Sequence, residues 1–196
     1  MGFGERTDPI EKWQVESECM IKLTPMLTED RNASTDKGCL MAMVPKEYCE
    51  KLMKASYKMI TDEQLYVEGT EFGREKECHV TVLYGFVPDL NELQIRQLLK
   101  GQKPFMVELV GVDKFENNPQ FDVVKYQVES PTLRQLNEAA KKYPNQNDYP
   151  DYKPHLTIAY VQKGTFPNNA QGIRIPIPIR QICYSPASGA KSYYDL

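Results

Sequence analysis

The sequence is poor in the features that mark membrane and secreted proteins. Its 196 residues contain no apolar run close to the roughly 20 residues that a membrane-spanning helix needs. The start, MGFGERTDPIEKWQ, lacks the basic segment and the apolar stretch of a secretory signal. Arg6 stands where a myristoylation signal has Ser or Thr. We therefore expect a protein without membrane association.

Metal-binding and P-loop motifs are also absent from the sequence. The five cysteines form no C-x-x-C pair, and neither H-E-x-x-H nor G-x-x-x-x-G-K-[ST] occurs. An odd number of unpaired cysteines is more typical of reduced thiols than of a disulfide framework or a zinc site. We predict reduced cysteines, a cytoplasmic protein, and neither a metal nor another cofactor.

An excess of basic residues is missing too. The chain has 24 Lys and Arg against 27 Asp and Glu, which gives a net charge of −3. Proteins that hold long nucleic acids gain much of their affinity by neutralising phosphates with Lys and Arg. The charge therefore argues against a long nucleic acid as the ligand, whereas a small nucleotide needs only a few local cations.

Both histidines of the chain occur in the same short phrase. HVTVLYG begins at His79, and HLTIAYV begins at His155. Alternate side chains of a β-strand share a face, so each histidine points the same way as the threonine two positions later, Thr81 or Thr157. The apolar residues between them point into a core. The tyrosine five positions after each histidine is expected on the apolar face, where it packs.

Hydrophobic periodicity predicts an α+β fold. Strands are indicated by β-branched and aromatic content at 38–44, 78–86, 104–115, 121–129, 155–161 and 172–185, the last at a sheet edge because of its prolines. Helices are indicated at 45–60, 89–101 and 130–143, the second with Asp89 and the third with Ser130 as N-cap. We predict two pseudo-symmetric lobes of antiparallel strands with helices outside, and the motif strands side by side at a central cleft. Residues 1–37 form an N-terminal extension without an assigned structure, and 38–196 form the bilobal domain.

Two imidazoles and two hydroxyls in one cleft suit the cleavage of a phosphodiester. One imidazole takes the proton of the attacking oxygen, and the other gives a proton to the leaving oxygen, since an unperturbed pKa of about 6.5 suits both tasks. The threonine hydroxyls can hydrogen-bond the phosphate oxygens whose charge changes in the transition state. We therefore predict His79, Thr81, His155 and Thr157 as catalytic residues.

The two phrases HVTV and HLTI, with the lobe pattern around them, resemble the 2H phosphoesterase superfamily. This superfamily includes the 2′-5′ RNA ligase-like proteins and the RNA cyclic phosphodiesterases, and its motif is His-x-Thr/Ser-apolar, present twice. The resemblance covers residues 38–185. It implies two α+β lobes around a cleft and a metal-independent opening of a 2′,3′-cyclic phosphate or cleavage of a 2′-5′ bond. One viral branch, the anti-CBASS nucleases, cleaves cyclic di- and trinucleotide signals.

The substrate is indicated less directly. A cyclic oligonucleotide is the leading hypothesis, with action in the host cytoplasm if the protein is viral. The alternatives are an RNA 2′,3′-cyclic or 2′-5′ phosphodiesterase and a non-catalytic nucleotide-binding module. Nucleobases stack on aromatic rings, so the predicted substrate-binding residues are Tyr149, Tyr152 and Lys153 before the second motif, together with Trp13; the tail residues Tyr193 and Tyr194 are further candidates.

Overall fold

The computed structural model of the protein describes residues 37–68, 72–147, 149, 151–167, 172–187 and 190–196. Apart from Lys37, the predicted N-terminal extension lies outside these residues, so its separation from the domain at 38–196 stays a prediction. None of the helices in the described ranges has the length and apolar character that crossing a membrane requires.

The described residues form one antiparallel sheet of eight strands with helices. The strands are β1 (Gly38–Met43), β2 (His79–Phe86), β3 (Phe105–Phe115), β4 (Phe121–Glu129), β5 (His155–Gln162), β6 (Gly172–Ile179), β7 (Gln181–Ser185) and β8 (Ser192–Asp195). The α-helices are α1 (Lys46–Met59), α2 (Glu92–Leu98) and α3 (Pro131–Ala140). The order across the sheet is β6-β3-β4-β5-β2-β1-β7-β8. This confirms the predicted α+β class, with the two motif strands, β2 and β5, adjacent at the centre.

The sheet curls so that its two halves approach each other. β6 lies at one end of the strand order and β7 near the other, yet only Arg180 separates them along the chain. Two residue steps span at most about 7 Å, so the two ends of the sheet lie close together. The prediction of one edge strand over 172–185 is therefore wrong in part. β6, which carries Pro176 and Pro178, is an edge strand, whereas β7 pairs on both sides with β1 and β8.

One face of the sheet carries the hydrophobic core, and the helices cover it. The first motif strand contributes Val80 and Val82, the second contributes Leu156 and Ile158, and all four are completely buried. Each such side chain stabilises the fold by about 1.5–3 kcal/mol. Because the helices occupy this face, the inner face of the curled sheet is left to the polar residues of the motifs.

The helix ends agree with the predicted signals in one case and differ in another. Ser130 caps α3, since its hydroxyl accepts the N–H of Leu133 at 3.3 Å. The predicted cap at Asp89 is wrong, because Asn91 caps α2 and accepts the N–H of Gln94 at 3.0 Å. Asp89 accepts a hydrogen bond from a buried tyrosine hydroxyl of β7 instead. A capping pattern cannot distinguish two acceptors this close in sequence when one of them has a tertiary partner.

Cys49 of α1 and Cys78, directly before β2, form a disulfide. This corrects the prediction that the cysteines are reduced. The pair has a sequence separation of 29 and no motif spacing, and only the fold brings α1 to the start of β2. Cys39 and Cys183 are free and buried. The cytoplasmic location loses the support of reduced thiols and stays a prediction.

Candidate active site

The four motif residues lie on one face of two adjacent strands. They are His79, Thr81, His155 and Thr157, and all are half-buried. Val80 pairs with Leu156 in the antiparallel contact between β2 and β5, so the residues on either side of that pair also face each other. Each histidine therefore stands opposite the threonine of the other strand. The histidines are diagonal neighbours, whose Cα atoms lie roughly 7–8 Å apart in such pairs, and this separation suits a phosphate between the rings.

A bulge at the same place in both motif strands changes the prediction for the tyrosines. Val82 has no partner in the β1–β2 register, and Ile158 has none in the β4–β5 register. Each is therefore an extra residue, which shifts the alternation of the strand by one position. Tyr84 and Tyr160 thus return to the face of the histidines, and both are half-buried there. The prediction that an ideal strand turns them to the apolar face is wrong.

The two histidine rings are oriented in the same way. His79 Nδ1 lies 2.9 Å from the carbonyl oxygen of Glu77, and His155 Nδ1 lies 2.8 Å from the carbonyl oxygen of Lys153. A carbonyl oxygen only accepts, so each Nδ1 carries a proton and donates it. Each Nε2 is then left to take up or release a proton in the cleft. This shared orientation comes from the residue two positions before each motif.

The loop before each motif strand donates a hydrogen bond to the other motif strand. In the loop before β5, the Tyr152 hydroxyl donates to the carbonyl oxygen of Thr81 at 2.9 Å. In the loop before β2, the N–H of Glu75 donates to the carbonyl oxygen of Ile158 at 2.8 Å. These reciprocal contacts hold the two motif strands at a defined position relative to each other.

An ion pair lies beside the first histidine. Glu77 forms an ion pair with Lys191, and the Tyr193 hydroxyl donates to Glu77 Oε1 at 3.3 Å. Burial acts to raise the pKa of Glu77, but the hydrogen bond and charge of Lys191 lower it below its usual value. Glu77 is therefore an ionised carboxylate two positions before His79. Tyr193 was predicted only as a stacking ring, and no local pattern of the sequence pointed to Glu77 or Lys191.

A buried lysine lies beside the second motif. Lys125 of β4 is the cross-strand partner of Thr157 and is only 5% exposed. Its Nζ lies 3.2 Å from Asp113 Oδ2 and 4.3 Å from the centre of the Phe115 ring. That ring contacts the ring of His155 edge-on, with centroids 4.8 Å apart. Lys125 was not among the predicted residues, although a lysine inside the apolar strand FDVVKYQVE was the available signal.

Burial is the main cause that lowers the pKa of His155. The hydrogen bond to the Lys153 carbonyl opposes this effect, while the positive charges of Lys125 and His79 add to it. The neutral imidazole is therefore the favoured form of His155 in the folded protein.

The cleft also contains two thiols, but they are not activated as nucleophiles. Cys39 and Cys183 lie with Met41 in a small apolar cluster on the motif face of the first half. Burial raises the pKa of Cys39 to about 12 and that of Cys183 to about 11. Both groups are therefore neutral thiols near pH 7, and thiolate chemistry at this site is disfavoured.

The residues predicted to bind substrate have different environments. Tyr152 is half-buried, and its hydroxyl donates to the Thr81 carbonyl. It therefore holds the first motif strand in place and is also a candidate contact to the substrate. Tyr149 is 67% exposed, and Lys153 is exposed while its carbonyl orients His155. Trp13 lies outside the described residues. The substrate-binding role of these residues stays a prediction.

A cluster of aromatic rings adjoins the second motif. Its members are half-buried, and neighbouring ring centroids lie 5.1–5.5 Å apart; they are Tyr66, Phe72, Phe121 and Tyr160. Phe121 and Lys125 share a face of β4, since they are an even number of positions apart. Sequence reasoning could not assemble the cluster, because its rings come from separate segments of the chain.

Comparison with known proteins agrees with this architecture. The sequence profile of the 2′-5′ RNA ligase superfamily matches residues 64–173, whereas no curated protein matches the sequence significantly. The crystal structure of TT0787 from Thermus thermophilus is similar with a TM-score of 0.52 and 19% identity, over 82% of this chain and 94% of that chain.

Crystal structures of Escherichia coli LigT are similar to the same extent. The complex with 3′-AMP has a TM-score of 0.53 and 17% identity, and the complex with NADP⁺ has a TM-score of 0.53 and 15% identity. Both cover 82% of this chain and 94% of the LigT chain. At these identities the structures show a shared fold, while the profile shows the family. The chain therefore belongs to the 2′-5′ RNA ligase superfamily of 2H phosphoesterases, and its general activity is that of a phosphodiesterase.

Proposed function

We propose that the protein cleaves a phosphodiester of a small nucleotide without a metal, by acid–base catalysis with His79 and His155. The observation that carries the proposal is the shared face of β2 and β5, where each histidine stands opposite the threonine of the other motif. Both imidazoles present Nε2 to the cleft, because both Nδ1 atoms donate to backbone carbonyls. The site thus offers two proton-transfer groups and two hydroxyls to one phosphate.

The proposed reaction conserves protons within the site. A ribose 2′-hydroxyl attacks the phosphorus atom, and its proton passes to Nε2 of the neutral imidazole. The P–O bond to the leaving ribose oxygen breaks, and the protonated imidazole gives its Nε2 proton to that oxygen. The products are a cyclic phosphate and a free hydroxyl. The hydroxyls of Thr81 and Thr157 donate to the non-bridging oxygens throughout this step.

A cyclic oligonucleotide is the leading substrate, as in the anti-CBASS branch of the superfamily that the motifs resemble. The net charge of −3 favours a compact ligand over a long polyanion. The half-buried aromatic cluster beside the second motif offers ring faces and edges to a nucleobase. LigT has been crystallised with 3′-AMP, NADP⁺ and ATP, all of them small nucleotides. A viral protein with this activity would act in the host cytoplasm.

An RNA end with a 2′,3′-cyclic phosphate or a 2′-5′ linkage is the second candidate substrate. The match to the 2′-5′ RNA ligase superfamily favours it. The two candidates differ in the number of nucleobases that the cleft must hold near the scissile phosphate. Both would be cleaved by the same catalytic groups, so only an assay with each substrate distinguishes the two candidates.

The experiment is a substrate panel in excess EDTA. Cyclic di- and trinucleotides, 2′,3′-cyclic mononucleotides, and 2′-5′- and 3′-5′-linked dinucleotides are incubated with the protein, and the products are separated by chromatography. We expect cleavage of a cyclic oligonucleotide, with His79→Ala and His155→Ala as inactive controls. Cleavage of the RNA ends alone would favour the second candidate. Binding without cleavage would make the protein a nucleotide-binding module. Activity that EDTA abolishes and a divalent ion restores would contradict the metal-independent mechanism.

A further inference from the structure

The two halves of the site differ in charge at one pair of corresponding positions. Each motif threonine has a cross-strand partner on the strand outside it. The partner of Thr81 is Met41 of β1, and the partner of Thr157 is Lys125 of β4. A lysine therefore stands beside the second motif at the position where an apolar side chain stands beside the first. Such a difference can assign different tasks to two histidines in equivalent positions.

We propose that Lys125 is a positioning residue whose buried charge acts against protonation of His155. His155 then accepts the proton of the attacking hydroxyl, and His79 donates a proton to the leaving oxygen. This inference rests on the proposed function, because it assigns the two histidines their parts in that reaction.

The lysine ammonium is held in place by its neighbours. Its side chain is 6% exposed, its Nζ contacts Asp113 Oδ2 at 3.2 Å, and it lies over the ring of Phe115. The edge-on contact between that ring and His155 places the imidazole next to the lysine's ring partner. A positive charge with little access to water interacts strongly with a neighbouring group. Protonation of His155 would place a second cation beside the first.

The other charges near His155 do not cancel this effect. Asp113 partly neutralises Lys125, but its side chain is 40% exposed and is therefore better screened by water. His79 faces His155 from β2, and its charge also disfavours a second protonated imidazole. The remaining carboxylate, Glu77, lies on the side of His79 and is paired with Lys191. The arrangement thus disfavours a proton on His155.

A direct test follows the two imidazoles by NMR. The chain has two histidines, so one substitution at each assigns both Cε1–H signals. We expect the His155 titration midpoint to lie below the ordinary value of about 6.5. The midpoint should move upward in Lys125→Met and stay near its original position in Lys125→Arg. It should move downward in Asp113→Asn, which leaves the lysine charge without its carboxylate.

A second lysine provides a matched control for lost packing. Lys114 of β3 has a side chain that is 5% exposed, and it pairs with the buried Asp122 at 3.1 Å. It is adjacent to Asp113 in sequence, so its side chain leaves the opposite face of the strand. Lys114→Met and Lys125→Met should both lower the unfolding temperature, but Lys114→Met should leave the His155 midpoint unchanged.

Turnover provides the second readout. The acidic limb of the kcat/KM profile should move to higher pH in Lys125→Met, because the base must be neutral. Near pH 5.5, the kcat/KM of Lys125→Met should be about 3–10-fold below the plateau that the same variant reaches at higher pH. Lys125→Arg should retain the original limb.

The NMR and kinetic results separate the two hypotheses. An unchanged His155 midpoint in Lys125→Met would overturn the role of Lys125, whether or not the protein cleaves a phosphodiester. Equal displacement of the midpoint by Lys125→Met and Lys114→Met would overturn it too, since both would then report lost packing. A midpoint that moves as expected in a protein that cleaves no phosphodiester would support the electrostatic effect and overturn the proposed function instead.

Discussion

Val80 of β2 stands directly opposite Leu156 of β5, and both side chains are completely buried in the core beneath the cleft. This pair determines which polar groups face each other on the other side of the sheet. A slip of one residue would turn one motif strand's histidine and threonine into the core. The apolar residue inside each His-x-Thr motif therefore sets the geometry of the proposed catalytic site as firmly as the polar residues do.

The two histidines are expected to be required as a unit. His79→Ala and His155→Ala should each reduce kcat by about 10²–10⁴-fold, the usual scale of positioned proton transfer. The double variant should lose much less than the product of the two effects, because groups that act together are not additive. Single-turnover rates on the preferred substrate measure this.

A substrate with a good leaving group identifies the acid. A p-nitrophenyl ester needs little proton donation, so the His79→Ala variant should recover most of its activity on it while His155→Ala does not. Equal responses of the two variants would contradict the separate acid and base roles.

The threonine hydroxyls are expected to contribute less than the imidazoles. Thr81→Val and Thr157→Val remove a hydroxyl at nearly constant volume and should each reduce kcat by about 10–10³-fold. Thr→Ser at the same positions keeps the donor and should retain most of the activity. If Ser reduces kcat as much as Val does, loss of the hydroxyl does not account for the effect of Val.

Acid should destabilise the fold partly through His155. Burial and the nearby cations lower the pKa of His155 in the folded protein, while the unfolded chain keeps a pKa of about 6.5. The unfolded state therefore binds the proton more readily, and stability is lost as the pH falls below about 6.5 toward the folded pKa. Urea denaturation between pH 7 and pH 5 should show a smaller loss in His155→Asn. An unchanged pH dependence in that variant would contradict the lowered pKa.

The hydroxyl of Tyr152 is expected to stabilise the first motif strand. Tyr152→Phe removes the hydrogen bond to the Thr81 carbonyl and should cost about 0.5–1.5 kcal/mol of unfolding free energy, or more if the carbonyl remains unsatisfied. Tyr149→Phe is the control, because that side chain is exposed and should change stability little. Chemical denaturation measures both. Equal effects at the two positions would argue against a stabilising hydrogen bond from Tyr152.

The disulfide between Cys49 and Cys78 is expected to contribute substantially to stability. Its sequence separation of 29 corresponds to about 3–4 kcal/mol in the chain-entropy account of disulfides. A reducing agent should lower the unfolding temperature of the original protein, and it should have no such effect on a Cys49→Ala/Cys78→Ala double variant. The same sensitivity to reducing agent in the double variant would exclude this disulfide as the cause.

Local patterns were sufficient for the elements and the motif residues. Strand alternation and helical spacing act over a few residues, which is why β1 to β5 and the helices were predicted close to their observed bounds. The same locality explains the errors. Asn91 caps the helix in place of Asp89, because a tyrosine of a distant strand donates a hydrogen bond to Asp89. The bulges were not predicted, because a strand pattern contains no information about a bulge imposed by the neighbouring strand.

The sequence by itself determined the two His-x-Thr motifs, the side of each strand on which they lie, and the family to which the chain belongs. These follow from residue types at short spacing, where the period of a strand fixes direction. Only the tertiary structure decided that Lys125 adjoins Thr157, that Glu77 pairs with Lys191, and that Cys49 reaches Cys78. Such neighbours come from strand register and helix packing, which depend on how the whole chain buries its apolar surface. The difference between the surroundings of the two histidines is therefore a property of the fold.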